Sequence, residues 1–168
     1  MVLTHPLKDK QAVITSKYGM RAHPVYGTFK LHNGVDFSAV ENTPVYSPLD
    51  GTVTNILWTD GGGNQLIVDH GNNGISSGYA HLNKIQVRKG QKVKQGQRIA
   101  LTGKTGKVTG PHLHFRLKNH KGEYINPQSM LYIEKGSPLA NIGGWAVLTV
   151  VGSVLIYRYV KTGSVRLS

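Results

Sequence analysis

Cysteine is missing from the 168 residues. Its absence excludes disulfides, thiolate zinc sites and a thiol nucleophile, and it leaves the redox compartment open. Acidic residues are scarce: 8 stand against 20 Lys and Arg, for a formal net charge of +12. None falls between His70 and Gly122, where Lys84, Arg88, Lys89, Lys92, Lys94, Arg98, Lys104, Lys107, Arg116, Lys118 and Lys121 all lie. A polyanion is the expected partner: an acidic cell-wall polymer, an anionic membrane or a nucleic acid. No nucleic-acid motif accompanies the charge and aromatic residues are sparsely interleaved, so a nucleic acid is not the expected one. Long amphipathic helical patterns are absent from residues 1–131. The loop Gly61-Gly62-Gly63-Asn64 lacks the Gly-Lys-Ser/Thr that a phosphate cradle needs. The first residues, from Met1 to Lys8, lack the basic start, apolar core and cleavage site of a secretory leader.

What is present is glycine, 21 of them, with clusters of Val, Ile and Thr. That composition predicts many short strands and tight turns. Val45-Tyr46 and Thr52-Val53-Thr54 flank Leu49-Asp50-Gly51, which reads as a hairpin turn. Strands are also predicted at Gln65-Leu66-Ile67-Val68-Asp69-His70 and at Ser76-Ser77-Gly78-Tyr79-Ala80-His81-Leu82, with the turn Gly71-Asn72-Asn73-Gly74 between them. Residues 87–100 repeat a basic-Gly turn twice. The run resembles the hairpin of biotinyl and lipoyl carrier domains, but no lysine has the setting of a modifiable one, so a structural β-hairpin is expected. The fold class is mainly β, a compact antiparallel sheet.

The chemistry concentrates at Thr109-Gly110-Pro111-His112-Leu113-His114-Phe115. On a strand, positions i and i+2 share a face, so His112 and His114 project together while Leu113 and Phe115 turn to the core. Imidazole is the commonest ligand of zinc and related ions. A bare His-x-His is also what two surface histidines on an edge strand look like. His32 and Asp36 stand four apart around Asn33-Gly34, a turn entering a strand, and a loop can fold both onto one ion. His81 adds a third histidine in a strand-like context.

The C-terminal segment changes character. Residues 136–157 carry no charge. Their length suits a single transmembrane helix, with Trp145 and Tyr157 or Tyr159 at the interfaces and Arg158 and Lys161 anchoring the far end. The predicted organisation is a domain over 1–133, a linker over 134–138, a membrane helix over 139–160 that meets the lipid bilayer through 139–157, and a basic tail over 161–168.

Taken with their flanking words, Phe29-Lys30-Leu31-His32-Asn33-Gly34-Val35-Asp36, Gly78-Tyr79-Ala80-His81-Leu82 and Thr109-Gly110-Pro111-His112-Leu113-His114-Phe115, the histidines make the chain resemble the M23 metallopeptidases. These are the LytM and lysostaphin family of peptidoglycan endopeptidases. The likeness runs in order from about Ser16 to Leu131 and includes Tyr18-Gly19-Met20-Arg21 and Ile67-Val68-Asp69-His70-Gly71. It implies one zinc (Zn2+) in a groove, held by His32, Asp36 and His114, with His81 and His112 as the catalytic histidines. Three protein ligands leave the fourth position that a catalytic zinc needs. Arg116 departs from the pattern, since many relatives carry Glu after the Phe. Tyr26, six before His32, stands where some relatives place a Tyr near the substrate. Asp69 and Glu41 are candidate outer partners, more simply read as turn carboxylates. His5, His23, His70 and His120 are read as ordinary histidines.

The expected function is zinc-dependent cleavage of peptide cross-links in peptidoglycan by a membrane-anchored enzyme, with peptidoglycan and the lipid bilayer as partners. The alternative is a non-catalytic wall-binding or scaffolding module of the same fold. A short lytic enzyme with an anchor but no leader also suits the virion of a membrane-containing bacteriophage. A bacterial inner-membrane protein is the other expectation for location.

Overall fold

The computed structural model describes residues 3–8, 12–22, 29–131, 150–151 and 154–155. The chain divides into two compact units, residues 1–132 and 133–168. The first unit is built from strands β1 (Ile14–Ser16), β2 (Gly19–Ala22), β3 (Phe29–His32), β4 (Val35–Ser38), β5 (Pro44–Tyr46), β6 (Gly51–Thr59), β7 (Gly63–Asp69), β8 (Ile75–Ile85), β9 (Lys92–Val93), β10 (Arg98–Thr102), β11 (His112–Asn119) and β12 (Tyr124–Ile125), followed by the one-turn helix α1 (Gln128–Leu131).

Ten of these strands form one sheet in the order β1-β4-β11-β8-β7-β6-β9. β10 bridges β8 to β5, β12 flanks β11, and β2 and β3 pair separately. All pairings are antiparallel. One face of the sheet holds the core. Val35, Phe37, Leu66, Val68, Tyr79, Leu113, Phe115 and Leu117 are all buried there. Burying each large apolar side chain contributes about 1.5–3 kcal/mol. Leu3 and Leu7 close one side of this core from the N-terminal segment.

β11 shows the expected alternation: Leu113, Phe115 and Leu117 are fully buried, while His112, His114 and Arg116 face the other way. β8 is the longest strand and the hub, hydrogen-bonded to β7, β10 and β11. Its buried middle, Ser77-Gly78-Tyr79-Ala80, is small apart from Tyr79.

Two expected hairpins are corrected. The Asp50-Gly51 turn does not pair the strands it joins: β5 pairs with β10, and β6 with β7 and β9. The Asp50 carboxylate instead accepts the Gln95 backbone N–H at 2.8 Å, tying this turn to the basic run. Within residues 87–100, β9 pairs with β6 and β10 with β5 and β8, not with each other. Each basic-Gly turn closes on itself. Gln91 N–H donates to the Arg88 carbonyl and Gln97 N–H to the Lys94 carbonyl, both at 3.0 Å. The glutamine side chains return the bond to Arg88 N–H and Lys94 N–H.

In the second unit, β13 (Val150–Val151) and β14 (Val154–Leu155) form a two-stranded antiparallel pair. The remainder of the predicted linker, membrane helix and tail lies outside the described residues. Among the described residues no helix is long and apolar enough to cross a membrane, and the four described within 139–160 are extended, not helical.

Candidate metal centre and catalytic cleft

β4 and β11 are neighbours in a register that sets Asp36 opposite His114. Both side chains rise on the non-core face, where they meet His32 at the end of β3. Asp36 Oδ1 lies 2.8 Å from His114 Nδ1 and 3.1 Å from His32 Nε2. The two ring nitrogens are 3.1 Å apart. The turn Asn33-Gly34 makes this approach possible. A Cβ on Gly34 would sit 2.4 Å from the Phe115 carbonyl oxygen and 2.9 Å from His114 Cε1, so any side chain there pushes β3 off β11.

The outer nitrogens of both rings are already committed. His32 donates Nδ1–H to the Lys17 carbonyl at 2.8 Å. His114 donates Nε2–H to Asn33 Oδ1 at 3.1 Å. Each neutral ring therefore turns a bare nitrogen toward the Asp36 oxygen. Three acceptors converge with no proton left to place between them, an arrangement that a cation resolves. Two ligands about 2.0–2.1 Å from a tetrahedral ion stand roughly 3.3 Å apart, close to the spacing seen. Imidazole, imidazole and carboxylate form a ligand set typical of zinc, and outer partners that fix each tautomer are what such sites carry. The residues fit the metal that the resemblance implies.

Burial on its own would raise the Asp36 pKa, but the close approach of His114 and His32 outweighs it and holds the carboxyl well below the usual range. Arg21 adds a longer contact, Nη2 to Asp36 Oδ2 at 3.8 Å. Burial lowers the His114 pKa, partly offset by Asp36, so the ring is neutral and ready to ligate.

His81 and His112 stand beside this centre, their ring centroids 4.6 Å apart. His112 donates Nδ1–H to the Gly110 carbonyl at 2.9 Å, which leaves Nε2 facing the centre, 3.8 Å from Asp36 Oδ1. His81 donates Nδ1–H to the Thr105 carbonyl at 2.9 Å. Its backbone has φ +61°, a left-handed conformation that an L-residue adopts at a cost of about 1–2 kcal/mol. The cause is a bulge: the register of β8 against β7 slips between Asn64 and Leu66, and His81 N–H bonds the Gly62 carbonyl at 2.8 Å. Bulges re-aim side chains, and this one turns His81 into the cleft. Burial pushes its pKa down to about 4, against the upward pull of the Thr105 carbonyl that accepts its Nδ1–H.

These residues line a cleft of about 900 Å³, whose walls include Arg21, Lys30, Gln65 and Arg116. The five residues singled out from the sequence are thus brought together. Asp69 and Glu41 are not part of the site: Asp69 caps the Gly71 N–H and Glu41 pairs with Lys104 at 3.3 Å. His70 is buried in a separate network, and Tyr26 and His23 lie outside the described residues. Sequence reasoning missed the carbonyls of Lys17, Thr105 and Gly110, because backbone acceptors leave no mark on residue type. Asn33 could have been found from its place inside the His32 word.

A family model described as peptidase family M23 matches residues 30–127. Peptidoglycan DD-endopeptidase ShyA of Vibrio cholerae is 44% identical over 113 residues, 67% of this chain and 26% of that protein. DD-carboxypeptidase/endopeptidase Mpg of Neisseria meningitidis is 38% identical over 117 residues, 70% of this chain and 26% of that protein. Among solved structures, a zinc containing peptidase from Vibrio cholerae superposes with a TM-score of 0.69 at 41% identity, covering 75% of this chain and 39% of that one. The catalytic domain of lysostaphin from Staphylococcus simulans gives 0.66 at 31% identity, covering 74% of this chain and 94% of that one. The chain spans about a quarter of the length of the curated relatives named here.

Proposed function

Because the chain belongs to peptidase family M23, we propose that it is a zinc-dependent endopeptidase that hydrolyses peptide cross-links of bacterial peptidoglycan. One observation carries the reading: His32 Nε2, Asp36 Oδ1 and His114 Nδ1 converge as bare acceptors at one point of a cleft, with His81 and His112 beside them. His32, Asp36 and His114 hold the ion. When bound, zinc supplies a Lewis acid for the scissile carbonyl and lowers the pKa of a ligated water from ~15.7 to about 7.

The protein's own groups do the rest. His81 and His112 are held in the same tautomer, each with Nδ1–H on a backbone carbonyl and Nε2 left for the cleft. A neutral Nε2 accepts a proton from the attacking water and returns it to the leaving amine. His81, with its pKa near 4, is neutral at pH 7 and, once protonated, gives its proton up readily. Asp36 stays ionised across the physiological range, and its charge favours transient protonation of the neighbouring imidazole.

The test is mass spectrometry of defined, cross-linked peptidoglycan treated with the full-length protein, with and without zinc. New amine and carboxyl ends at cross-bridges, abolished by chelation, are expected. Binding to the wall with no new ends would make the chain a wall-binding module instead.

The uncharged segment 139–157 supports a further part of the proposal, attachment to a bilayer. Full-length protein is expected to stay with membranes through alkaline carbonate washing, and a chain ending at Lys135 to be released. Release of both would overturn the attachment.

A further inference from the structure

We propose that Arg116 binds a carboxylate of the substrate close to the scissile bond and so makes this chain selective for acidic peptides; the idea rests on the peptidase reading above. Arg116 shares the cleft face of β11 with His112 and His114. Across the sheet it stands opposite Gly78 of β8. A Cβ on Gly78 would lie 2.6 Å from Arg116 Nε and 2.9 Å from its Cγ. The missing side chain is the space in which the arginine lies flat over β8. At the far end, Arg116 Nη2–H donates to Gln65 Oε1 at 2.9 Å. Gln65 is itself buried and its Nε2–H donates to Thr59 Oγ1 at 2.7 Å. Thr59 Oγ1 also accepts the Gly62 N–H at 3.0 Å. The guanidinium is thus fixed at both ends and half buried, with its fork in the wall of the cleft.

Among the described residues no carboxylate pairs with it. Among the described residues, the ion-paired carboxylates are taken by other groups: Asp36 by the histidines and Arg21, Asp50 by Lys94 and Glu41 by Lys104. A buried charge without a counter-charge is costly, and the cost is relieved when an anion arrives. Gln65 is a neutral acceptor that holds the fork without satisfying its charge. A planar guanidinium offers five donors in a geometry that matches a carboxylate in two parallel bonds. Arg21 and Lys30 line the same cleft, so its field favours a negative substrate.

Distance places the ligand. His114 and Arg116 are two residues apart on one strand, about 6.6 Å. An extended peptide covers that span in about two residues. The carboxylate recognised is therefore within about two residues of the bond cut, on a side chain or a branch.

The experiment uses metal-free full-length protein, so that no carboxylate can bind an ion. Two synthetic peptides are titrated by calorimetry or NMR: one carries a free carboxylate two residues from the cleavable bond, the other its carboxamide. Wild type is expected to bind the acid about 10–100-fold more tightly. Arg116→Gln should erase the difference and Arg116→Lys should keep part of it. Gln65→Glu, which sets a competing carboxylate against Arg116, should also erase it, and it carries the test if Arg116→Gln fails to fold. Equal binding of acid and amide by wild type, no binding of either, or a preference that survives in folded Arg116→Gln would each overturn the proposal. Binding comes before hydrolysis. A peptide bound with the expected preference but never cut by the zinc-loaded protein would sink the peptidase reading and leave this site standing.

Discussion

At the scale of single residues, the proposed function gives metal holding and proton transfer to different side chains, and substitutions should separate with them. His32→Ala and Asp36→Ala are expected to lose zinc, read by metal analysis after reconstitution, because each removes one of the three converging atoms. His81→Ala and His112→Ala should retain zinc and lose ~10²–10⁴-fold in turnover, the range of a general acid–base group. Zinc lost from His112→Ala but kept in His114→Ala would reverse the roles of the pair. Asn33→Ala frees the outer nitrogen of His114 and should weaken zinc binding about 10–100-fold with no ligand removed. Away from the site, His70 tests the balance between burial and charge. It donates Nδ1–H to the Asp50 carbonyl at 2.9 Å and accepts the Ser77 hydroxyl on Nε2 at 2.8 Å. Tyr79 then donates to Ser77 at 2.9 Å. Burial lowers the His70 pKa from its ordinary 6.5. A depressed folded value means that the unfolded chain takes up the proton first. The contribution of His70 is therefore complete above pH 6.5 and is lost as pH falls toward the folded value. Urea unfolding at pH 7.5 and 5.0 should show this loss in wild type and less of it in His70→Gln; identical pH dependence in both would exclude His70 as the cause.

At the scale of elements, the meeting of the strand pair β2–β3 with the main sheet decides whether the centre exists. It depends on Gly34, which lies against the Phe115 carbonyl and the His114 ring. Gly34→Ala should cost about 1–3 kcal/mol, as forced overpacking does, and zinc affinity should fall with it. Unchanged affinity in that variant would show that β3 can shift without moving His32. The same elements show what the sequence could reveal. The alternation at Leu113, His114 and Phe115 was legible because period-2 burial is a local property, and it set both histidines on one face. The five residues that meet in the cleft were legible from their flanking words rather than from spacing, since His32 and Asp36 fit a helix face as well as a turn. The strand partners were not legible. Asp50-Gly51 has the composition of a hairpin turn, yet the long-range pairing of β5 with β10 prevails over the local signal. The left-handed backbone of His81 was hidden for the same reason: a bulge is a count between two strands, and one strand cannot show it. Arg116 was visible as a departure, but its flat course over β8 depends on Gly78, its partner across the sheet.

At the scale of the whole molecule, charge and connectivity have separate consequences. Lys84, Arg88, Lys89, Lys92, Lys94 and Arg98 are exposed, along the stretch from the end of β8 through β9 to the start of β10. Binding to an anionic wall through them should weaken from 50 to 300 mM salt, because exposed charges more than ~8 Å apart are largely screened at physiological ionic strength. Hydrolysis of a small soluble cross-linked peptide should respond less. Equal salt sensitivity for the two would mean that this basic run does not dock the wall. Connectivity acts on time. The metal-holding atoms of His32 and His114 come from residues 82 apart in the chain, and those of Asp36 and His114 from residues 78 apart. They meet only after β4 has found β11, a long-range closure that comes at a large entropic cost early in folding. An ion has no complete set to bind in the unfolded chain or before that closure, so its stabilisation belongs to the native state alone. Zinc should therefore leave the refolding rate of the domain almost unchanged and slow its unfolding. Zinc that speeds refolding instead would show β4 and β11 already joined at the barrier. On the proposed reading, the lifetime of the zinc-loaded chain is set by how rarely its sheet opens between those two strands, and the metal proposed for catalysis acts as a latch on the fold as well.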